Sequence, residues 1–169
     1  MVLIQVAALC LLLVPACGYR LGGHSCESSA GARNVAVPLF QNRSLLPRAE
    51  NLFTEAFRDR IQFLPCYRLR QADSAEVLLK GTLLSLDTYQ IAVDREFLIL
   101  EYGMRVVLTV TLEKRTDGEV LWRAERVQDE IRFYASSDPL LNQENTREAL
   151  QRLAWKMSER VLDKLALGF

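Results

Sequence analysis

The sequence predicts an α+β fold: a two-layer sandwich in which two helices pack on one face of a mostly antiparallel sheet. Within residues 97–114, apolar and polar side chains alternate from Met104 to Glu113, which indicates a long strand with one buried and one wet face. The turn at 116–119 contains Gly118 and predicts a hairpin to a partner strand at 120–134. Strands followed by a long amphipathic helix are typical of this architecture.

The first strand is predicted over residues 34–40, which are rich in β-forming side chains. Pro38 has no backbone N–H, so the sequence places this strand at a sheet edge, or Pro38 near the strand's end. Residues 41–44, with the sequence Gln-Asn-Arg-Ser, are predicted to form a turn.

A first helix is predicted over about 47–63, where apolar side chains form one stripe. Pro47 suits a first helical turn, and Pro65 prevents continuation of the helix. A short extended piece over 66–70 and a long strand over 77–93 should follow.

The last helix should begin after Asp138, because Asp is a favoured N-cap and Pro139 suits the first helical position. Apolar residues then recur at helical spacing, and Gly168 is expected to end the helix. The apolar positions are Ala149, Leu150, Leu153, Ala154, Met157, Val161, Leu162 and Leu165.

The first sixteen residues have no charged side chain and are predicted to be a lipoprotein signal peptide. As a helix they would span roughly 24 Å, which is short of a bilayer core of about 30 Å. Leu13-Val14-Pro15-Ala16-Cys17 is similar to a lipobox, so Cys17 is the expected site of lipid attachment. The alternatives are an ordinary cleaved signal or a retained buried helix. Residues 17–32 then form a Gly- and Ser-containing tether, and 33–169 form a single domain.

Two of the four cysteines remain if the signal is removed and Cys17 carries the lipid. Cys26 and Cys66 would then lie in an oxidising compartment, where a single disulfide is possible. Two separate thiols are the other interpretation, and the sequence leaves both open.

Charge and motif content exclude several classes of function. Basic and acidic residues balance at 21 each, which argues against non-specific nucleic-acid binding. No phosphate loop, nucleophile elbow or metal-ligand cluster appears, so we predict no enzyme activity, no cofactor and no metal. The single histidine, His24, lies in the tether and is interpreted as solvated.

Basic side chains supply the candidate contacts for an anionic lipid or a partner. Four of them recur every fourth residue on the last helix, as one ridge: Arg152, Lys156, Arg160 and Lys164. The alternative is that they complement the helix dipole, with Glu148, Glu159 and Asp163 as neighbours. Arg43 and Arg95, at predicted loop tips, are the other candidates.

Several segments, in order along the mature chain, resemble the LptE family of lipopolysaccharide-assembly lipoproteins. The opening Cys17-Gly18-Tyr19-Arg20-Leu21 is similar to that family's start. The other segments are 34–44 (NVAVPLFQNRS), Glu101-Tyr102, 117–122 (DGEVLW) and 145–150 (NTREAL).

The resemblance implies a non-enzymatic outer-membrane lipoprotein that faces the periplasm. Such a protein plugs the β-barrel LptD, helps it to assemble, and contacts lipopolysaccharide on its way to the outer leaflet. The alternative is another envelope lipoprotein that acts as a periplasmic interaction module, such as an activator of a peptidoglycan synthase. The stretch from Cys17 to Asn34, about 17 residues, reaches only about 60 Å even when fully extended, which favours the plug.

Overall fold

In the computed structural model of the chain, residues 33–96 and 98–167 are described. They form six strands, two α-helices and one 3-10 turn. In chain order these are β1 (Arg33–Ala36), β2 (Gln41–Asn42), α1 (Ala49–Ile61), β3 (Tyr67–Leu69), the 3-10 turn (Ala72–Ser74), β4 (Val77–Val93), β5 (Ile99–Lys114), β6 (Val120–Tyr134) and α2 (Pro139–Ala166).

The strands form one sheet with the order β3-β1-β4-β5-β6, and β2 pairs with β4 further along the same edge as β1. The three long strands pair antiparallel, β4 with β5 and β5 with β6. The three short strands pair parallel to their neighbours. The sheet is therefore mostly antiparallel, and the predicted fold class is confirmed.

Both helices cover the same face of the sheet. On that face β4 and β5 bury paired residues such as Leu79 with Leu112 and Leu83 with Leu108. The buried side chains of α1 and α2 belong to the same core cluster. The opposite face, called here the outer face, carries polar residues such as Lys80, and no described helix covers it. Burial of this one-sided apolar surface is the main favourable term in folding.

Most of the predicted long elements are confirmed. β4 and β6 have the predicted bounds, whereas β5 begins at Ile99 rather than at residue 97. At the start of α2, an Oδ1 of Asp138 accepts hydrogen bonds from the backbone N–H groups of Leu140 (2.8 Å) and Leu141 (3.3 Å). The predicted N-cap is therefore correct, and the expected helix end at Gly168 lies outside the described residues.

The prediction for residues 34–44 was wrong in two respects. The strand ends at Ala36, and residues 41–42 form a strand beside β4 instead of a turn. Pro38 does not mark an edge, because β1 lies between β3 and β4. The other alternative is correct, because Pro38 lies two residues beyond Ala36, the last paired residue of β1, and its missing N–H removes no ladder hydrogen bond.

The first helix is shorter than predicted at both ends. Arg48 has a φ of 68°, a left-handed conformation, so the helix begins at Ala49 and Pro47 lies outside it. Asn42 fixes the preceding loop, because its Nδ2 donates to the Leu46 carbonyl (2.8 Å) and to Glu50 Oε2 (2.7 Å). At the C-terminal end, the backbone hydrogen bonds join residues three apart, because the Phe63 N–H donates to the Arg60 carbonyl. The regular α-helix therefore ends at Ile61.

The long strand β4 defines two ends of the molecule. Val77 pairs with Val35, close to where the chain enters the described region. Val93 lies at the other end, beside the connection to β5. The seventeen residues of β4 separate these ends by about 50 Å, given a rise of about 3.3 Å per residue. Within residues 33–96 and 98–167, neither helix is long and apolar enough to cross a bilayer.

Candidate functional site

The basic ridge on α2 is partly engaged with the sheet. Lys156 Nζ lies 2.7 Å from Asp129 Oδ1, and Arg160 Nη1 lies 2.9 Å from Asp129 Oδ2. Asp129 occupies β6 on the helix-covered face, paired with buried Val106 of β5. Two of the four ridge residues therefore hold α2 against β6.

The charge of Asp129 is balanced by these contacts. Burial by itself would raise the pKa of Asp129, but hydrogen bonds from Lys156, the Glu130 amide and Arg160 outweigh burial and lower that pKa below its ordinary value. The carboxylate therefore stays ionised at neutral pH. A buried charge is tolerated where it is paired and hydrogen-bonded in this way.

The other side of α2 pairs with α1. Arg60 Nη2 lies 2.9 Å from Asp163 Oδ1 and 3.8 Å from Glu159 Oε1. The remaining ridge residues, Arg152 and Lys164, are exposed and form no ion pair with any described residue. Only this half of the predicted ridge stays available to an external anion.

The loop candidates lie far from each other. Arg43 follows β2, and its backbone N–H donates to the Leu83 carbonyl at 2.9 Å, in the middle of β4. Arg95 lies in the β4–β5 connection, beyond Val93. Ten strand residues separate Leu83 from Val93, or about 30 Å. The six predicted basic residues therefore do not form one site.

Arg95 lies at the apex of a turn that Asp94 organises. Asp94 Oδ1 accepts hydrogen bonds from the backbone N–H groups of Glu96 and Leu98, both at 2.8 Å. The Asp94 N–H also donates to the Leu98 carbonyl at 2.9 Å. This Asx-type arrangement closes the hairpin and leaves the Arg95 side chain exposed.

Exposed apolar side chains surround this turn and the neighbouring start of α2. The β6–α2 connection is held beside β5, because the Ala135 N–H donates to the Leu100 carbonyl at 3.0 Å. Exposed apolar side chains of both regions therefore share one end of the molecule. This surface, the apolar end, consists of Val93, Leu98, Leu100, Tyr134, Leu140 and Leu141, which are between 48% and 78% exposed. Clusters of this kind mark interaction sites more often than isolated exposed side chains do.

The outer face of the sheet is polar and internally paired. Lys80 Nζ lies 2.6 Å from Glu113 Oε2 on the neighbouring strand. Glu130 Oε2 accepts hydrogen bonds from Arg105 Nη2 (2.9 Å) and from the Tyr89 hydroxyl (3.1 Å). These contacts lower the pKa of Glu130, with the Arg105 hydrogen bond as the largest cause. The face is suited to water or to a polar wall.

A cavity of about 600 Å³ opens at the end where the chain enters the described region. Arg33, Lys114 and Arg115 line it together with Asp73 and Glu76. Because charges of both signs surround it, the cavity does not indicate one class of ligand.

No group of three or more His, Cys, Asp or Glu side chains could hold a metal within the described part of the chain. Cys66 is disulfide-bonded. Three residues of the sequence predictions lie outside the described residues: Cys17, predicted to carry the lipid, Cys26, a possible disulfide partner, and His24, in the predicted tether.

Two features of the site were missed at the level of sequence. Asp129 could have been found, because Val127, Ile131 and Phe133 continue the inward alternation on either side of it. A charged residue at an inward position calls for a buried partner. The apolar end had no comparable signal, because its members come from β4, the β4–β5 connection, β5, β6 and α2, which only the fold brings together.

Comparisons with known proteins agree with this fold. The sequence model of one family, LptE (Lipopolysaccharide-assembly), matches residues 32–165, which is most of the chain. Among curated proteins none matches the chain.

The solved structures with a similar fold include three bacterial proteins. Rare lipoprotein B from Shewanella oneidensis is 11% identical, with 79% of this chain and 94% of that chain covered and a TM-score of 0.52. Uncharacterized lipoprotein B from Nitrosomonas europaea is 8% identical, with 80% and 83% covered and a TM-score of 0.54. A Caulobacter crescentus protein named as a candidate lipoprotein is 13% identical, with 76% and 88% covered and a TM-score of 0.56. At these identities the likeness shows a shared fold alone.

Proposed function

Because the chain belongs to the LptE family of lipopolysaccharide-assembly proteins, we propose that it is an outer-membrane lipoprotein that plugs an LptD-like β-barrel and helps the barrel to assemble. In this role it takes part in inserting lipopolysaccharide into the outer leaflet. The family match over most of the chain is the observation that carries the proposal. The lipobox-like sequence before Cys17 supports attachment to a membrane through a lipid.

The outer face of the sheet supports the plug. The interior of a large transmembrane β-barrel is polar, so a protein inside it must present polar side chains to the wall. The outer face meets this requirement with paired charges such as Lys80–Glu113 and Arg105–Glu130. The charges of these two pairs are already balanced, so this part of the face can approach a polar wall without leaving an unpaired ion.

The apolar end supports contact with lipopolysaccharide. A lipid A molecule combines phosphate groups with acyl chains, so its binding surface needs cations beside exposed apolar side chains. Arg95 at the apex of the turn, with Leu98 and Leu100 next to it, provides that combination. This end lies about 50 Å from the chain entry, so a lipid anchor at Cys17 leaves it free to reach a second lipid.

The proposal is tested by capturing the tagged full-length protein from detergent-solubilised membranes and identifying what comes with it by mass spectrometry. We expect one large β-barrel protein in near-stoichiometric amount, with lipopolysaccharide in the same fraction. A Cys17→Ser variant is the control for the lipid anchor, and it should no longer fractionate with outer membranes. Capture of a peptidoglycan synthase, or of no stable partner, would contradict the plug and favour the alternative interaction module.

A further inference from the structure

The edge of β4 that faces away from β5, called here its outer edge, has no partner strand among the described residues over its second half. On that side β1 pairs with residues 77–78 and β2 pairs with residues 82–83. From Ser85 to Gln90 no described strand follows, although β5 pairs regularly with this stretch on the other side. Alternate residues of such a strand present backbone N–H and C=O groups to solvent.

The other long edge of the sheet is protected. On β6, the Gln128 carbonyl accepts a hydrogen bond from Arg160 at 3.3 Å and the Glu130 carbonyl accepts one from Lys156 at 3.2 Å. Further along the same edge, the Tyr134 carbonyl accepts from Asn145 Nδ2 at 3.0 Å. Side chains of α2 thus occupy the positions that an added strand would use on β6.

The β4 edge lacks the usual protective residues. The sequence of 85–90, Ser-Leu-Asp-Thr-Tyr-Gln, contains no Lys, Arg or Pro, and its one charge is Asp87. Register shifts bound the stretch on both sides, between Leu83 and Ser85 and between Gln90 and Ala92. They leave a regular strand of six residues, which is enough for a short peptide to pair with.

This edge is also held in place before any partner arrives. The Tyr89 side chain crosses Gly103 of β5, and its hydroxyl donates to Glu130 Oε2 on β6 at 3.1 Å. A Cβ atom at Gly103 would lie 2.4 Å from Tyr89 Cζ, so glycine is required for this crossing. The Arg105 guanidinium lies 5.2 Å from the centre of the Tyr89 ring. A strand fixed in this way loses little conformational freedom on binding.

We propose that residues 85–90 are a strand-addition site, at which an extended segment of the β-barrel partner pairs with the outer edge of β4. The inference rests on the proposed function for the identity of the partner and adds the way in which the partner is held. Extended main chain is the occupant because only another strand matches alternating donors and acceptors at this spacing. Arg43 lies where β2 leaves this edge, so it favours an acidic side chain at the near end of the added strand.

Amide hydrogen exchange on the complex purified in detergent, compared with the isolated protein, tests the proposal. We expect alternate amides of residues 85–90 to exchange at least about tenfold more slowly in the complex, a change of about 1.4 kcal/mol. Residues 128–134, on the protected edge, should not change. A stoichiometric barrel with unchanged exchange at 85–90 would overturn this inference alone, whereas the absence of any barrel would overturn the proposed function as well. Protection already present in the isolated protein, together with a dimeric mass, would assign the edge to a second copy of this chain.

A pair of proline variants gives an independent test. Adjacent amides in a regular strand point to opposite sides, so of Asp87→Pro and Thr88→Pro only one removes a hydrogen bond to β5. The variant that keeps the wild-type thermal midpoint carries its proline on the outward side, and we expect it to lose the partner. Arg132→Pro, outward on the protected edge, is the matched control and should keep the partner. Retention of the partner by both folded variants would contradict strand addition; if neither variant folds, the exchange measurement decides.

Discussion

Asp129 connects the two layers of the molecule through a single carboxylate. It occupies an inward position of β6, between apolar inward neighbours, and both of its oxygens are used, one by Lys156 and one by Arg160. The two cations keep their side chains about half exposed, so they retain part of their hydration while the carboxylate gives up most of its own. The arrangement explains why a basic ridge can exist on a helix where like charges repel one another.

We predict that Asp129→Asn lowers the free energy of unfolding at pH 7 by about 2 kcal/mol, the scale of hydrogen bonds to charged groups. The amide keeps the shape of the side chain but not its charge, so both cations lose their counterion. Urea denaturation followed by tryptophan fluorescence measures the loss. Glu125→Gln is the matched control on the same strand, because its ion pair with Arg123 is exposed and should change stability by less than about 0.5 kcal/mol. Equal losses in the two variants would contradict the role given to Asp129.

The contacts of Asp129 with Lys156 and Arg160 also make the free energy of unfolding depend on pH. Because folding lowers the pKa of Asp129, its contribution is fully present above the unfolded pKa and is lost as pH falls through the lower, folded pKa. The difference between wild type and Asp129→Asn should therefore stay constant near neutrality and shrink as pH falls below about 4. A difference that instead grew on acidification would contradict the direction of the shift.

At the scale of elements, the parts of the fold that depend on local pattern were predictable. The alternation in β5, the glycine turn before β6 and the Asp138 cap of α2 each involve residues close in sequence, and all three are confirmed. The start of α1 was not predictable, because the left-handed Arg48 interrupts a stretch that otherwise reads as helix. The strand at 41–42 exists only because β4 lies beside it. The paired residues are about forty positions apart in the sequence, so a local pattern cannot predict this strand.

At the same scale, a disulfide bond would link the predicted tether to the sheet. Cys66 is disulfide-bonded and directly precedes β3, and its carbonyl accepts a hydrogen bond from the Arg33 N–H at 2.9 Å. We predict that Cys26 is its partner, because Cys10 is predicted to leave with the signal peptide and Cys17 is predicted to carry the lipid. Closing a loop of this length should stabilise the protein by about 4 kcal/mol.

Peptide mapping without reduction should recover the peptides of Cys26 and Cys66 joined by a disulfide. The Cys66→Ser variant should have a free energy of unfolding that is lower by the amount that the disulfide bond contributes, as measured by urea denaturation. Under a reducing agent, which is the control, wild type and variant should become equally stable. Recovery of Cys66 joined to any other thiol would refute the pairing.

At the scale of the whole molecule, the position of each end decides what the protein can reach. The chain enters beside β1 and β3, while the apolar end lies at the far ends of β4, β5 and β6. The six basic residues predicted from the sequence are spread between these two ends and do not lie close together. Their charge alone therefore could not reveal which of them contacts a ligand. What distinguishes Arg95 from the other five basic candidates is its apolar surroundings, to which β4, β5, β6, α2 and the β4–β5 connection all contribute.

We therefore predict that Arg95 and its apolar neighbours, rather than the helix ridge, contact lipopolysaccharide. An Arg95→Glu and Leu98→Ser double variant should weaken binding of purified lipopolysaccharide by about tenfold or more, since it removes an ion pair with phosphate and an apolar contact with an acyl chain. Arg68→Glu, with an exposed arginine on β3 at the opposite end, has the same change of charge and should bind within about twofold of wild type. Circular dichroism should show both variants folded, because Arg95 and Leu98 are exposed. If Arg152→Glu with Lys164→Glu abolished binding while the Arg95 variant kept it, the exposed half of the α2 ridge would be the lipid contact and the apolar end would serve the barrel instead.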